Sequence, residues 1–285
     1  MKKSIDHYVS IVEDLPAARD AYLRLGFNVR PIAQHIELGS SNCVIIFPNT
    51  YIELIHIGDA PPWLADAYLP RLAAGPGLCH VSLTADKLAD EAARLKGLGH
   101  VPDEEGNARR KVILPDGSEG ETDSSFLYNW KDARRYLSLF YSEHRIPDMI
   151  FIEGHTHHPN GAIDTARIVG VSEDPGTDLG YYQQSYGHDA ESAGADGFVM
   201  RGGRGEAIEV LTPDAARARY SPLLDDLDLG GLGGFPVALH FGVPDLAATR
   251  ALLTAAGVAM QEIGGAVAVP RSAAQGNIIV FEPSS

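Results

Sequence analysis

Two stretches of the chain repeat one arrangement of ionisable residues inside apolar alternation. Asp6-His7-Tyr8-Val9-Ser10 is followed by Tyr51-Ile52-Glu53-Leu54, and Cys79-His80-Val81-Ser82 is followed by Phe151-Ile152-Glu153. Each pair sets a His in one strand-like run and a Glu in another. Such groups are costly to bury unless they are paired or bind a cation. The duplication therefore demands a fold built from copies of one unit, with the polar residues of each copy brought to a shared place.

The unit can be read along the first copy. Residues 5–12 alternate as a half-buried strand. Glu13-Asp14-Leu15-Pro16 then opens a helix, with Pro16 suited to the first turn and Asp14 offering a capping carboxylate. Ala17, Ala18, Tyr22 and Leu25 form a helical stripe, and Gly26 ends it in the position where a left-handed residue is needed. Three apolar runs follow, around residues 28–32, 42–47 and 51–57. The order is strand–helix–strand–strand–strand. It recurs from Leu78, with a helix over residues 85–98, a strand over 136–141, a last strand over 149–153 and a polar insertion over 118–135. Third and fourth copies open at Ala166 and Val237 and close on Ala207-Ile208-Glu209 and Ile278-Ile279-Val280. Four βαβββ modules, paired two by two, predict an α+β chain of two domains, residues 1–160 and 161–285.

Side chains alternate across a strand, so a His on a first strand and a Glu on a last strand can face one side of a curled sheet. Two facing modules then close a cup with four inward ligands: His7, Glu53, His80 and Glu153. A divalent ion such as Zn, Ni, Fe, Co or Mn accepts this mixture, and its open positions would take a chelating substrate. Glu53 or Glu153 could double as a proton shuttle. Around the cup, His35 with Asn42 and His158 on the following loop are candidate substrate contacts. Arg109 and Arg110 belong to an Arg group able to clamp a carboxylate or phosphate on the substrate, or to pair with surface acids. Tyr128, Trp130 and Tyr136 could form an aromatic wall.

The order of these residues resembles the vicinal oxygen chelate superfamily, in its glyoxalase-like branch. The match is carried by Asp6-His7, Asp14-Leu15, Leu25-Gly26-Phe27, His35, Gly39-Ser40-Ser41-Asn42, Tyr51-Ile52-Glu53-Leu54 and residues 147–153 with His158-Pro159-Asn160-Gly161. The resemblance implies paired βαβββ modules and places the ligands on His7, Glu53, His80 and Glu153. In the second half the same positions hold Arg167, Glu209, Ala238 and Val280, a degenerate set. The implied activity is metal-dependent isomerase or lyase chemistry on a small substrate with vicinal oxygens. A non-haem iron ring-cleaving dioxygenase and a non-catalytic small-molecule or antibiotic-binding protein are the alternatives.

Composition narrows the partners. A net charge of −15 over 285 residues argues against nucleic acid and anionic membranes, both of which need clustered cations. The two cysteines, Cys43 and Cys79, make no disulfide framework. No run is long enough to span a bilayer, and a cytoplasmic location is expected. The expected partners are a small-molecule substrate and a second copy of the chain in a homodimer, with the second half a candidate scaffold, lid or dimer surface.

Overall fold

The computed structural model describes residues 2–100, 104–128, 136–225, 228–229 and 231–284. The first module is β1 (Ile5–Ile11), α1 (Leu15–Arg24), β2 (Ala33–Gln34), β3 (Ser41–Ile46) and β4 (Tyr51–His56). A linking helix α2 (Pro62–Ala73) leads to β5 (Gly77–Thr84), α3 (Leu88–Gly97), β6 (Glu104–Ala108), the small hairpin β7 (Lys111–Ile113) and β8 (Glu119–Glu121), then β9 (Ser124–Tyr128) and β10 (Ser138–His144). The third module is β11 (Asp164–Ser172), α4 (Pro175–Tyr186), β12 (Ser192–Gly194), β13 (Gly197–Arg201) and β14 (Ala207–Leu211). A second linking helix α5 (Pro213–Tyr220) precedes β15 (Gly234–Val243), α6 (Leu246–Ala255), β16 (Gln261–Ile263), β17 (Ala266–Val269) and β18 (Ile278–Pro283).

These strands form two curled eight-stranded sheets of identical plan. One runs β2-β3-β4-β1-β5-β10-β9-β6 and the other β12-β13-β14-β11-β15-β18-β17-β16. In each, two modules meet through their first strands, β1 with β5 and β11 with β15, both antiparallel. The α+β class and the four βαβββ modules are as the repeats predict. Three of the four module helices, α1, α4 and α6, start alike because their sequences do, whereas Lys87 before α3 gives no side-chain cap. Asp14, Asp174 and Asp245 each accept a hydrogen bond from the backbone N–H three residues on, at 2.9, 3.1 and 2.9 Å. One apolar core joins the helix-covered faces of both sheets. In it Phe27 and Phe47 of the first half meet Phe241 of the second, ring centroids 5.2 and 5.5 Å apart.

Two expectations for the second module fail. Residues 149–153 are not its last strand; two short 3-10 turns, Pro147–Met149 and Glu153–His155, occupy that stretch. The last strand is β10, which pairs parallel with β5 and antiparallel with β9. An Ile-Phe-Ile run imitates a strand in sequence, but the parallel slot beside β5 is already filled. The polar insertion expected over 118–135 holds β8 and β9 in its described part. Trp130 and residues 129–135 lie outside the described residues.

Candidate active site

The first sheet encloses a small cavity of about 50 Å³ on its inner face. His7, Tyr51, Glu53 and Phe140 come to it from the central strands, His35 and Asn42 from one side, and Arg110, Tyr128 and His144 from the other. Helix α2 adds Leu64 and Tyr68. Beside it opens a pocket of about 520 Å³, which shares His35 and Arg110 with the cavity and is otherwise lined mainly by aliphatic side chains such as Val44, Ile46 and Ile152.

A bulge in β1 builds one wall. The register against β5 passes from Ile5↔Leu83 to His7↔Ser82, leaving Asp6 as an extra residue. Bulges break the alternation of faces and re-aim side chains. Here the result is contact between neighbours: His7 donates from Nδ1 to Asp6 Oδ1 at 2.7 Å. His144 donates from Nε2 to both Asp6 oxygens at 2.9 and 3.0 Å, and the Ser124 hydroxyl lies 2.7 Å from His144 Nδ1. Burial pushes the Asp6 carboxyl up, but His144 and His7 together outweigh it and hold the group well below the usual carboxylate range. With Nδ1 committed to an anionic Asp6, His7 presents Nε2 to the cavity. Its ring is stacked on Tyr51, centroids 4.3 Å apart, and meets Phe140 edge-on.

Glu53 faces it from β4, paired with Val9 in the parallel register. Only 6% of the residue is exposed. Asn42 donates from Nδ2 to Glu53 Oε1 at 2.6 Å, and the same amide nitrogen lies 3.2 Å from His35 Nε2. The amide cannot be reversed, since that would set two oxygens against each other. His35 Nε2 is therefore an acceptor, and its Nδ1–H donates to Ser40 Oγ at 2.9 Å. A neutral His35 agrees with burial, which lowers its pKa against the pull of Glu53. Glu53 Oε2 accepts no hydrogen bond among the described residues, and His7 Nε2 lies 3.9 Å from it. That gap exceeds a hydrogen bond. It leaves a base and an imidazole facing one another, each held from behind.

The four expected metal ligands do not assemble. Glu153 sits exposed on a 3-10 turn, away from the cavity lining. Its intended place is filled by an apolar ring. Glu53 is the partner of Val9, the counterpart of Val9 on β5 is Ser82, and Ser82 pairs with Phe140. His80 is 1% exposed and packs under α2 against Tyr68, centroids 4.3 Å apart, outside the cavity lining. The remaining donors, His7, His35 and Glu53, do not compensate, because the Asn42 amide already engages the lone pairs of His35 Nε2 and Glu53 Oε1. Among the described residues no group of three or more His, Cys, Asp or Glu is placed to hold an ion.

Burial lowers His80 to about 3, assisted by the Arg71 charge and opposed by the Ala67 backbone. The unfolded chain takes up this proton near pH 6.5 and the folded chain does not, so stability is full above that pH and falls as the pH drops toward 3. One coupled proton gives a slope of about 1.4 kcal/mol per pH unit. Urea unfolding of His80→Leu between pH 7 and pH 5 should show that slope reduced by one proton; an unchanged slope would mean the imidazole is not excluded from protonation.

Of the expected substrate contacts, His35 and Asn42 line the cavity and the others do not. His158 is a structural residue: Asn28 N–H donates to Nδ1 at 3.1 Å, Nε2 donates to Ile46 O at 3.1 Å, and the ring lies on Phe47. Tyr136 donates to Asp178 at 2.5 Å in the core between the halves. Arg109 is exposed and pairs with Glu37 and Glu121. Its neighbour Arg110 is the one that turns inward. Asp6 and His144 are the residues that sequence reasoning did not place in the site, and Arg110 rather than Arg109 is the member of the Arg group that lines it.

The second sheet repeats this bulge at Ala166 and has a further one at Val237, and its open pocket of about 530 Å³ is lined by charges that are paired with one another, Arg167, Glu209 and Glu282 among them. Glu209, the counterpart of Glu53, is locked by Arg219 at 2.6 and 3.0 Å with Arg167 beside it. Ala238 and Val280 belong to an apolar cluster that fills that face.

A curled sheet of two βαβββ modules enclosing a polar cavity is the architecture of the vicinal oxygen chelate superfamily. The chain belongs to the glyoxalase-like domain family, whose model matches residues 5–183. No curated protein matches it. Similar solved structures include a hypothetical protein from Staphylococcus aureus, at TM-score 0.67 and 10% identity over 99% of this chain and 100% of that one. A xylose isomerase-like TIM barrel/4-hydroxyphenylpyruvate dioxygenase fusion protein matches at 0.58 and 13%, over 100% of this chain and 50% of its own. A mutant of 4-hydroxymandelate synthase from Streptomyces coelicolor matches at 0.59 and 12%, over 98% and 92%. At such identities the likeness is one of fold. Among the described residues no helix is long and apolar enough to cross a membrane.

Proposed function

We propose that the chain is an enzyme that moves a proton on a small oxygenated substrate, an isomerase or lyase, with its site in a first domain of residues 1–160. The observation that carries this reading is the opposed pair: Glu53 Oε2, without a donor, facing His7 Nε2 across 3.9 Å. Glu53 takes a proton from a hydroxyl-bearing carbon beside a carbonyl, while His7 Nε2 gives one to the carbonyl oxygen, forming an enediol. Glu53 then returns its proton to the former carbonyl carbon, and His7 takes the proton of the other hydroxyl, whose carbon becomes the new carbonyl; the isomerisation is complete with both residues restored. Asp6 fixes the ring orientation of His7 through Nδ1, and Asn42 fixes the carboxylate of Glu53. Both are geometric requirements of general acid–base catalysis. A cavity of about 50 Å³ admits only the reacting end of a substrate, so its body would lie in the pocket of about 520 Å³. Among the described residues, the second domain, residues 161–285, supplies no group to this cavity.

The test is solvent-deuterium exchange by proton NMR, using a panel of α-hydroxyketones, 2-oxo acids and 2-hydroxy acids. Exchange at the carbon beside the carbonyl of at least one compound is expected, and none across the panel would remove the reading. Elemental analysis gives a second check. A stoichiometric metal that is lost in both His7→Ala and His35→Ala would replace direct proton transfer with metal-assisted chemistry.

A further inference from the structure

The neck between the cavity and the outer pocket is positively charged in a chain whose net charge is −15. Arg110 lines both spaces and is 7% exposed. Its backbone is fixed, N–H to Thr122 Oγ1 at 3.0 Å and carbonyl to Thr122 N at 2.9 Å. Its guanidinium makes no hydrogen bond or ion pair to any described residue. Buried guanidinium groups are ordinarily paired, because five donors without acceptors carry a large desolvation cost. Here burial lowers the Arg110 pKa, opposed by Tyr51, Glu53 and Cys43.

Arg30 lines the same outer pocket and likewise has no ion pair among the described residues; its one side-chain hydrogen bond is to the Ile113 carbonyl at 3.3 Å. The two guanidinium groups repel each other: after burial, Arg110 is the largest influence lowering Arg30. The carboxylate of this lining, Glu119, is engaged by Lys111 at 3.5 Å, so Arg30 and Arg110 face the pocket with no ion pair among the described residues, a standing demand for an anion. Arg109 makes the contrast, since it is exposed and satisfied by Glu37 and Glu121.

We infer that the substrate of the proposed reaction is a small monocarboxylate with an apolar body, its carboxylate clamped by Arg110 and its body lying in the outer pocket. This deepens the proton-transfer reading and rests on it for the word substrate. A carboxylate matches the planar fork of a guanidinium with two parallel hydrogen bonds. The walls beyond it are aliphatic: Ile32, Val44, Ile46, Val112 and Ile152. A phosphate dianion fits less well, because Glu53 shares the inner cavity with Arg110 and repels a second negative charge.

The experiment is ligand-observed NMR titration of the full chain with benzoate and phenylacetate, against their uncharged amides and against phenyl phosphate. Binding of the carboxylates at least about tenfold tighter than of the amides is expected. Arg110→Met should remove that preference, Arg110→Lys should keep part of it, and Arg109→Met should leave it intact. Glu53→Gln should bind the carboxylates as tightly as wild type or tighter, since binding needs no proton transfer and a repulsive charge is gone. Equal affinity of wild-type protein for acid and amide overturns the inference even if no Arg110 variant folds. So does an unchanged preference in a folded Arg110→Met, a preference for phenyl phosphate, or no carboxylate binding at millimolar concentration. Failure of deuterium exchange with carboxylate binding intact would strike the proton-transfer reading alone. Exchange dependent on Glu53 with no carboxylate preference would strike this inference alone.

Discussion

Glu53→Gln is expected to lower deuterium exchange on an active compound by about 10²–10⁴-fold, the range a positioned general base contributes. The substitution keeps the shape of the side chain and the acceptor facing Asn42 Nδ2, at 2.6 Å in the wild type. It replaces Oε2, the atom opposite His7 Nε2, with an amide nitrogen that cannot take a proton. Stability should change little, within about 1 kcal/mol, because a buried carboxylate with one open oxygen contributes little net folding energy. The effect is thus specific to rate. Glu153→Gln serves as the paired control: both glutamates follow an Ile in an apolar run, but Glu153 is exposed on a turn. Loss of exchange in Glu53→Gln alone supports the assignment. Equal rates in Glu53→Gln and wild type would remove Glu53 from the chemistry.

The modules were legible because local signals repeat in them: the Asp that caps α1, α4 and α6, the apolar alternation of the first strands, and Gly26 at the end of the first helix, where φ is +80°. His7 and Glu53 were legible for the same reason, since a regular strand register fixes which face a residue takes. Three failures have three physical origins. His80 satisfies the pattern as well as His7 does, but α2 closes over it, and the packing of a linking helix leaves no trace in a strand's alternation. Glu153 follows a run of strand-forming residues, yet the place it would fill belongs to β10, which is decided by competition for a sheet slot rather than by propensity. Arg109 and Arg110 differ by one position on an irregular stretch beside a short hairpin, where a one-residue phase decides between solvent and cavity. The bulge that brings Asp6 to His7 was equally invisible, because it depends on how β1 pairs with β5.

Gly276→Ala should destabilise the protein by about 3 kcal/mol or more, and the reason shows what the second half contributes to the site. Gly276 has a φ of +87°, where an L residue costs about 1–2 kcal/mol. An added Cβ would also stand 1.9 Å from the Pro76 carbonyl oxygen, a backbone atom that no rotamer change can move. That approach holds the start of β5 against the start of β18. The next residue, Asn277, accepts from Leu78 N–H at 2.9 Å and donates to Ser10 Oγ and the Tyr22 hydroxyl at 3.2 and 3.1 Å. On the other side, Arg71 of α2 donates to Leu78 O at 3.1 Å and lies over the Phe235 ring at 3.9 Å. The second sheet therefore braces α2, the helix that sets Tyr68 into the cavity, although every residue lining that cavity falls between 7 and 150. Gly257→Ala separates strain from collision: its φ is +65° but nothing lies within 4 Å of the new methyl, so about 1 kcal/mol is expected. Urea midpoints of the two variants measure the difference. Equal, small losses would mean that the β5–β18 junction yields easily, and the second half would then not be the rigid footing on which α2 and the cavity depend.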